Sequence, residues 1–405
     1  MATQVSTLGF RDVLQDTAVK RLWLAQVISV FGDFLAIFAI FAVVTFQFHG
    51  NAMQVALILV AFLTPLALVS PIAGVYVDQW NVKATMIASD LIRAAMVLVL
   101  LFARDLNLIY GTLFAMSTVS AFFMPAQSVA VRTLAPPGGL LAVNALMTQA
   151  MQGAQIISPS IAGLLVDLAG ANACFALDTL SFFVSAGLVA TLTISREAPH
   201  KQAPASGVWT ALNQGLRFIF THRAISFVLI SMACGMFAVR CFGALLSVWV
   251  RDVLLSGARL FGLLNTAIGV GMIAGSQMVR KLAGRFAPEQ TVSLALAGMG
   301  VAVAIIAVFA NIASTTVGML ALGYCAAFNM ITAQTLMQQE TPPELLGRVS
   351  SAMMSLMAVS QVLAMFFAGP VAEHAGLRAL YYGSAVMLVA IAGAGLAQLR
   401  RRAEA

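Results

Sequence analysis

Residues 22–48 read LWLAQVISVFGDFLAIFAIFAVVTFQF, twenty-seven positions in which Asp33 is the single charged residue. A helix rises about 1.5 Å per residue, so this stretch is long enough to cross roughly 30 Å of hydrocarbon. Strands of a membrane barrel would instead alternate in segments of about ten residues. Eleven further apolar runs follow, at 53–77, 84–103, 107–131, 144–169, 171–194, 224–250, 260–279, 290–310, 312–336, 350–371 and 379–399. Together they occupy nearly the whole chain of 405 residues, of which 61% are hydrophobic and 9% charged. Soluble domains carry about 25% charged residues. The expected fold is an all-α membrane protein of twelve transmembrane helices, with no room for a soluble catalytic or nucleic-acid-binding domain.

The basic residues set the expected orientation. With the N-terminus inside, sixteen of the 22 Lys and Arg fall on the inner side and four outside (Arg104, Arg251, Arg259 and Arg378). The other two, Arg93 and Arg240, lie within spans. An excess of this size places both termini in the cytoplasm by the positive-inside rule. The polar start through Arg21 does not read as a cleaved leader, because the first apolar run is too long for a signal-peptide core. The net charge of +7 therefore reflects topology rather than an anionic partner. Cys174, Cys234, Cys241 and Cys325 lie in apolar runs without metal-ligand spacing and read as small buried hydrophobes.

One long polar interval divides the chain into residues 1–195, a linker at 196–223 and residues 224–405. The linker carries Pro199, Pro204, Ser206 and Gly207. It then places Val208, Leu212, Leu216 and Ile219 at near-helical spacing, the pattern of an amphipathic helix on the inner membrane face. Six spans precede it and six follow. The halves share turn signals before their fifth spans, Gln127 with Pro136-Pro137 in one and Gln334 with Pro342-Pro343 in the other. Proline and glycine also match inside those spans, Ser158-Pro159 with Gly163 against Gly369-Pro370. Two similar bundles are the plan of an alternating-access carrier.

The loop after the second span reads Gly74-Val75-Tyr76-Val77-Asp78-Gln79-Trp80-Asn81-Val82-Lys83. It resembles the loop signature G-x-x-x-D-(R/K)-x-G-x-(R/K)-(R/K) of the major facilitator superfamily, matching at Gly74, Asp78 and Lys83. Gln79, Asn81 and Ala84 depart from it. The fifth span, with Ala154, Ser158, Pro159, Ala162 and Gly163, is similar to the exporter signature G-x-x-x-G-P-x-x-G-G with small residues substituted. Small residues let helix backbones approach closely. The stretches 122–126 with 144–146, and 338–349, resemble the exporter branch that holds the enterobactin exporter and macrolide-efflux proteins. Phe31-Gly32-Asp33 together with Ala238-Val239-Arg240 is also similar to bacterial lysophospholipid transporters. The resemblance implies two pseudo-symmetric six-helix bundles, an inner gate at the Gly74–Lys83 loop, and a helix-packing role for Ser158, Pro159 and Gly163. It also implies that the first and seventh spans line the cavity, so that Asp33 and Arg240 face each other across it.

Ionisable groups inside a bilayer cost at least about 2.5–3.5 kcal/mol each on insertion scales. Asp33, Asp90, Arg93, Asp178 and Arg240 therefore need partners or water. Asp33 and Arg240 read either as a switchable pair, with proton coupling at Asp33 and an anionic substrate group at Arg240, or as a static buried pair. Asp90 and Arg93 are three apart on one helix face and read as a local ion pair or as part of the inner gate. Asp178, beside Thr179 and Ser181, reads as structural hydrogen bonding in preference to proton transfer. Gln26 and Asn329 are uncharged polar groups within spans, suited to interhelical bonding or to the substrate. There is no phosphate-binding loop, no nucleotide cofactor motif and no metal-ligand cluster. The expected function is secondary active transport: proton-coupled export of a small amphipathic molecule, or movement of a lysophospholipid across the inner membrane, by a monomer that is not an enzyme and does not bind nucleic acid.

Overall fold

A computed structural model describes residues 8–77, 79–194, 217, 219–282 and 287–403. Twelve long helices run through them: α1 Thr17–Ala42, α2 Ala52–Val77, α3 Val82–Leu100, α4 Leu106–Leu134, α5 Leu140–Ala169, α6 Ala171–Ala190, α7 Arg223–Asp252, α8 Ala258–Leu282, α9 Pro288–Phe309, α10 Ile312–Glu340, α11 Pro343–Ala375 and α12 Leu377–Ala403. A one-turn helix, Phe10–Val13, precedes α1, and a π-helical turn, Val43–Gln47, continues it. Among the described residues nine helices are long and apolar enough to cross a membrane. Polarity sets α3, with Lys83, Asp90 and Arg93, and α5, with Gln149, Gln152 and Gln155, apart from these.

Local chemistry fixes where these helices start and stop. The Asp16 side chain accepts from the Ala18 and Val19 amides at 2.8 and 3.2 Å and so caps α1. Asn81, Asp105 and Asn311 cap α3, α4 and α10 in the same way. Proline opens α9 and α11, where a missing amide hydrogen costs nothing. Gly170 ends α5 at φ +79° and Gly376 ends α11 at φ +89°, a backbone region that glycine enters without strain. These two glycines stand at equivalent turns of the two halves and extend the repeat seen around the fifth spans.

The chain divides into two compact units. Met1–His49, Leu57–His200 and Gly257–Gly262 form one; Gly50–Ala56, Lys201–Ser256 and Leu263–Ala405 form the other. This differs from the expected 1–195 and 224–405 halves by two short segments, one from the start of α2 and one from the start of α8. Of the expected amphipathic linker helix, only exposed Arg217 and buried Ile219 lie within the described residues. In the first unit α1 packs on α5 and α6, and α3 packs on α4 and α6. In the second, α7 packs on α11 and α12, and α9 on α10 and α12. Each unit therefore repeats one pairing scheme. Trp249 and Tyr381, both fully buried with ring centroids 5.0 Å apart, help fix α7 against α12.

Helix α5 shows why small residues matter. A Cβ on Gly163 would stand 2.7 Å from the Ala258 carbonyl oxygen, because the first turn of α8, part of the same unit, crosses it backbone to backbone. A Cβ on Gly153 of the same helix would meet nothing within 4 Å. Gly163→Ala should therefore destabilise the protein by about 1–3 kcal/mol through overpacking. Gly153→Ala should leave stability unchanged or raise it by up to about 1 kcal/mol through helix propensity. Thermal unfolding of the two variants in detergent checks this; equal melting temperatures would refute the close crossing.

Candidate functional site

Four ionisable side chains from three helices meet near the middle of the first unit. Asp33 comes from α1, Asp90 and Arg93 from α3, and Asp178 from α6. Arg93 is 3% exposed, and its Nη2 donates to Asp90 Oδ1 at 2.5 Å while its Nη1 reaches Asp33 Oδ2 at 3.5 Å. The guanidinium carbon lies 4.4 Å from the ring centroids of both Phe123 and Phe182, so two aromatic faces clamp the cation. A desolvated cation–π contact contributes about 2 kcal/mol or more. Ser185 Oγ donates to Asp90 Oδ2 at 2.7 Å. Asp90 thus has an ionic partner on one oxygen and a hydroxyl on the other.

The remaining carboxyls are held less firmly. The Asp33 side chain is 37% exposed, in contrast to the fully buried Asp90. Asp178 is fully buried. Ser181 Oγ shares its hydrogen between Asp178 Oδ1 at 3.2 Å and the Asp178 carbonyl at 2.8 Å. Asp178 Oδ2 has no hydrogen-bond partner. Gly32 makes room for this arrangement, since a Cβ there would overlap both Ser181 Oγ and Asp178 Oδ1. Three carboxyl groups thus gather around one guanidinium, which contacts only Asp90 and Asp33. With all three ionised the cluster would carry a net charge of −2 where charge is costly.

The structure distributes the other sequence candidates more widely. Asp33 finds its ion-pair partner, Arg93, inside its own unit, where the sequence suggested Arg240. Asp90 and Arg93 do form the local pair read from their spacing, but they join Asp33 midway along α3 rather than the loop below it. Arg240 lies on α7 in the second unit, its Nε buried without a hydrogen-bond partner. Asn329 of α10 is 4% exposed, its Oδ1 is also unpartnered, and its amide nitrogen packs against Gly235. Gln26 accepts a hydrogen bond from the Gln127 amide, which ties α1 to α4. Ser158 Oγ donates to the Phe31 carbonyl at 3.4 Å, and Pro159 sits inside α5. A cavity of about 210 Å³ at the far end of α1, beside Gln47 and Asn172, is separate from the charged cluster.

Gly74 lies in the last turns of α2, Asp78 lies outside the described residues, and Lys83 sits half-buried in the first turn of α3. At Asn81, where the resembled signature has glycine, the side chain caps α3, accepting from the Ala84 amide at 3.0 Å. Trp80 stacks on Phe122 at 5.6 Å and 14°, with Tyr76 5.9 Å away. Aromatic packing thus braces this loop where the signature places a basic residue and a glycine.

Long apolar helices in two repeated bundles, with ionisable groups gathered inside one of them, define a multi-pass membrane transporter rather than an enzyme. A family model described as transmembrane secretion effector matches residues 12–405, and the chain belongs to that family, within the major facilitator superfamily. It is 24% identical over 388 residues to the uncharacterized MFS-type transporter YfiS of Bacillus subtilis, covering 92% of this chain and 91% of that one. It is 24% identical to macrolide efflux protein A of Streptococcus pyogenes, covering 92% and 93%. It is 23% identical to the multidrug efflux pump Tap of Mycolicibacterium fortuitum, covering 87% and 90%. Among solved structures, a bacterial homolog of the human lysosomal transporter Spinster superposes with a TM-score of 0.73 at 13% identity, covering 93% of this chain and 96% of that one. That likeness shows the major facilitator fold.

Removing Arg93 would strand the buried Asp90 charge. Arg93→Ala should cost about 3–5 kcal/mol. Adding Asp90→Asn to that variant should recover part of the loss. A double-mutant cycle on thermal stability in detergent checks this, and additive losses would show that the two side chains do not interact.

Proposed function

We propose that the protein exports small amphipathic molecules by alternating access of its two units, driven by protons entering across the membrane. The observation that carries this reading is the surplus of carboxyl groups in the first unit. A group that must gain and lose a proton needs a buried setting, a partner it can exchange, and some access to water. Asp33 suits this role: it lies beside Asp90 and Asp178, its contact with Arg93 is long, and its side chain is less enclosed than those of its neighbours. Asp90 is closed off by Arg93 and Ser185 and serves to hold the arginine in place. The efflux proteins among the relatives support export of drug-like molecules over the lysophospholipid alternative. Arg240 and Asn329, with unpartnered polar atoms in the second unit, are the candidates for contacting substrate. We place the protein in the inner membrane as a monomer; the cytoplasmic placement of both termini rests on the distribution of Lys and Arg.

Two measurements test the reading. In proteoliposomes, Asp33→Asn should abolish efflux driven by a pH gradient and spare exchange of labelled for unlabelled drug, because asparagine cannot carry the proton. Gradient-driven efflux that survives Asp33→Asn would remove Asp33 from coupling. For the orientation, a cysteine at exposed Asn51 should react with an impermeant maleimide on whole cells, and one at exposed Arg132 only after permeabilisation. The reverse pattern would invert the topology.

A further inference from the structure

We propose that Asp178 is the resident proton store of this transporter, holding a proton in the described state and exchanging it with Asp33 on the neighbouring helix. This deepens the proton-coupled reading and rests on it for its role in transport, though not for the presence of the proton. Asp90 is an ionised partner of Arg93, bonded on both oxygens. That pairing neutralises the one cation of the cluster. Asp33 reaches the same guanidinium at 3.5 Å, and its side chain is 37% exposed. Asp178 has neither resource. It is fully buried, its Oδ1 receives half of a shared hydroxyl hydrogen, and its Oδ2 has no partner. A carboxylate so placed would face the full cost of a buried unpaired charge; a neutral carboxylic acid would not.

The charged and titratable groups around Asp178 agree with this assignment. From α1 it faces Asp33, from α3 it faces Asp90 and Arg93, and on α6 itself Cys174 lies one turn away. Helix α5 supplies the Ser158 hydroxyl to the Phe31 carbonyl, two residues before Asp33, and no charge. The one cation is committed to Asp90, so the net effect of these neighbours is negative. The backbone supplies the path: Gly32 lets the Asp178 carboxyl lie directly against α1, one residue from Asp33. The step is a proton transfer and nothing else. In release, Asp178 passes its proton to ionised Asp33, which becomes neutral as Asp178 becomes charged, and Asp33 then gives the proton to water. In uptake, Asp33 takes a proton from water on the other side of the membrane and passes it to the ionised Asp178. Transfer between the two conserves the charge of the pair, and only exchange with water changes it by one.

A sodium ion is the competing occupant, and the test exposes it.

Infrared spectroscopy of the purified full-length protein in lipid reads the proton directly. The wild type at neutral pH in sodium-free buffer should show the C=O stretch of a protonated carboxyl group, shifted in ²H₂O. The band should vanish in Asp178→Asn and persist in Asp33→Asn. Its absence from the wild type, its survival in Asp178→Asn, or its loss on adding sodium at constant pH would overturn the proposal. Gly32→Ala keeps every charge but drives a methyl group into the Asp178 carboxyl, so it should shift the band; an unchanged frequency would count against the assignment if Asp178→Asn fails to fold. Asp178→Asn should also lose gradient-driven efflux while retaining drug exchange. If wild-type efflux ignores the pH gradient, the coupling reading fails, and the band still decides whether Asp178 holds the proton.

Discussion

A guanidinium cannot be buried in hydrocarbon without compensation, and the interior of the first unit is organised around that constraint. Arg93 is compensated three times over, by Asp90, by two phenyl faces and by the more distant Asp33. Each contact fixes a helix. Asp90 and Arg93 lock their own face of α3, Phe123 brings in α4, Phe182 brings in α6, and Asp33 brings in α1. Ser185, also on α6, completes Asp90. The arrangement makes α3 the least apolar of the short helices and at the same time ties it to three neighbours. Low hydropathy there accompanies interior packing rather than a solvated position.

The two units repeat their backbone scheme but not their chemistry. The third helix of each packs on the fourth and sixth, the first packs on the fifth and sixth, and a left-handed glycine closes the same turn in each. In the first unit the buried charge is mainly acidic. In the second, Arg240 and Asn329 carry buried atoms without partners. A duplicated scaffold with unlike interiors suits a carrier whose driving ion and substrate occupy different places, because each unit can then respond to one of them.

Much of the fold was legible in the sequence because the bilayer enforces length and polarity. The twelve runs correspond to the twelve helices with shifts of a few residues at their ends, set by caps such as Asp16 and Asn81 that lie outside the apolar stretch. The charged cluster was legible only in part. Asp33, Asp90 and Asp178 all stand near the middle of their spans, so their similar depth could be counted. Which helices adjoin could not, since apolar periodicity around a membrane helix is weak and several faces look alike. The sequence accordingly pairs Asp33 with Arg240 and gives Arg93, whose spacing advertises a partner within α3, Asp90 alone. Gly32 carried the missing signal. It is the residue before Asp33, and a helix that needs a glycine in mid-span is being approached closely by something.

The strengths of these contacts assign their order in any working cycle. Arg93 is short to Asp90 and long to Asp33, so a change in the charge of Asp33 disturbs the weaker contact and leaves the stronger one standing. The aromatic clamp adds to the same bias, because it restricts the guanidinium from following Asp33 if α1 moves. A switch needs one fixed component and one that lets go. The geometry gives the fixed role to α3, through Asp90, Arg93 and the two rings, and the releasing role to α1, through Asp33. Asp178 then has to be neutral while Asp33 is charged, for two adjacent anions would compete for a cation already engaged elsewhere. In the proposed cycle the number of protons the cluster holds follows the position of α1, and such a tie is the physical requirement for coupling proton flow to movement of the bundle.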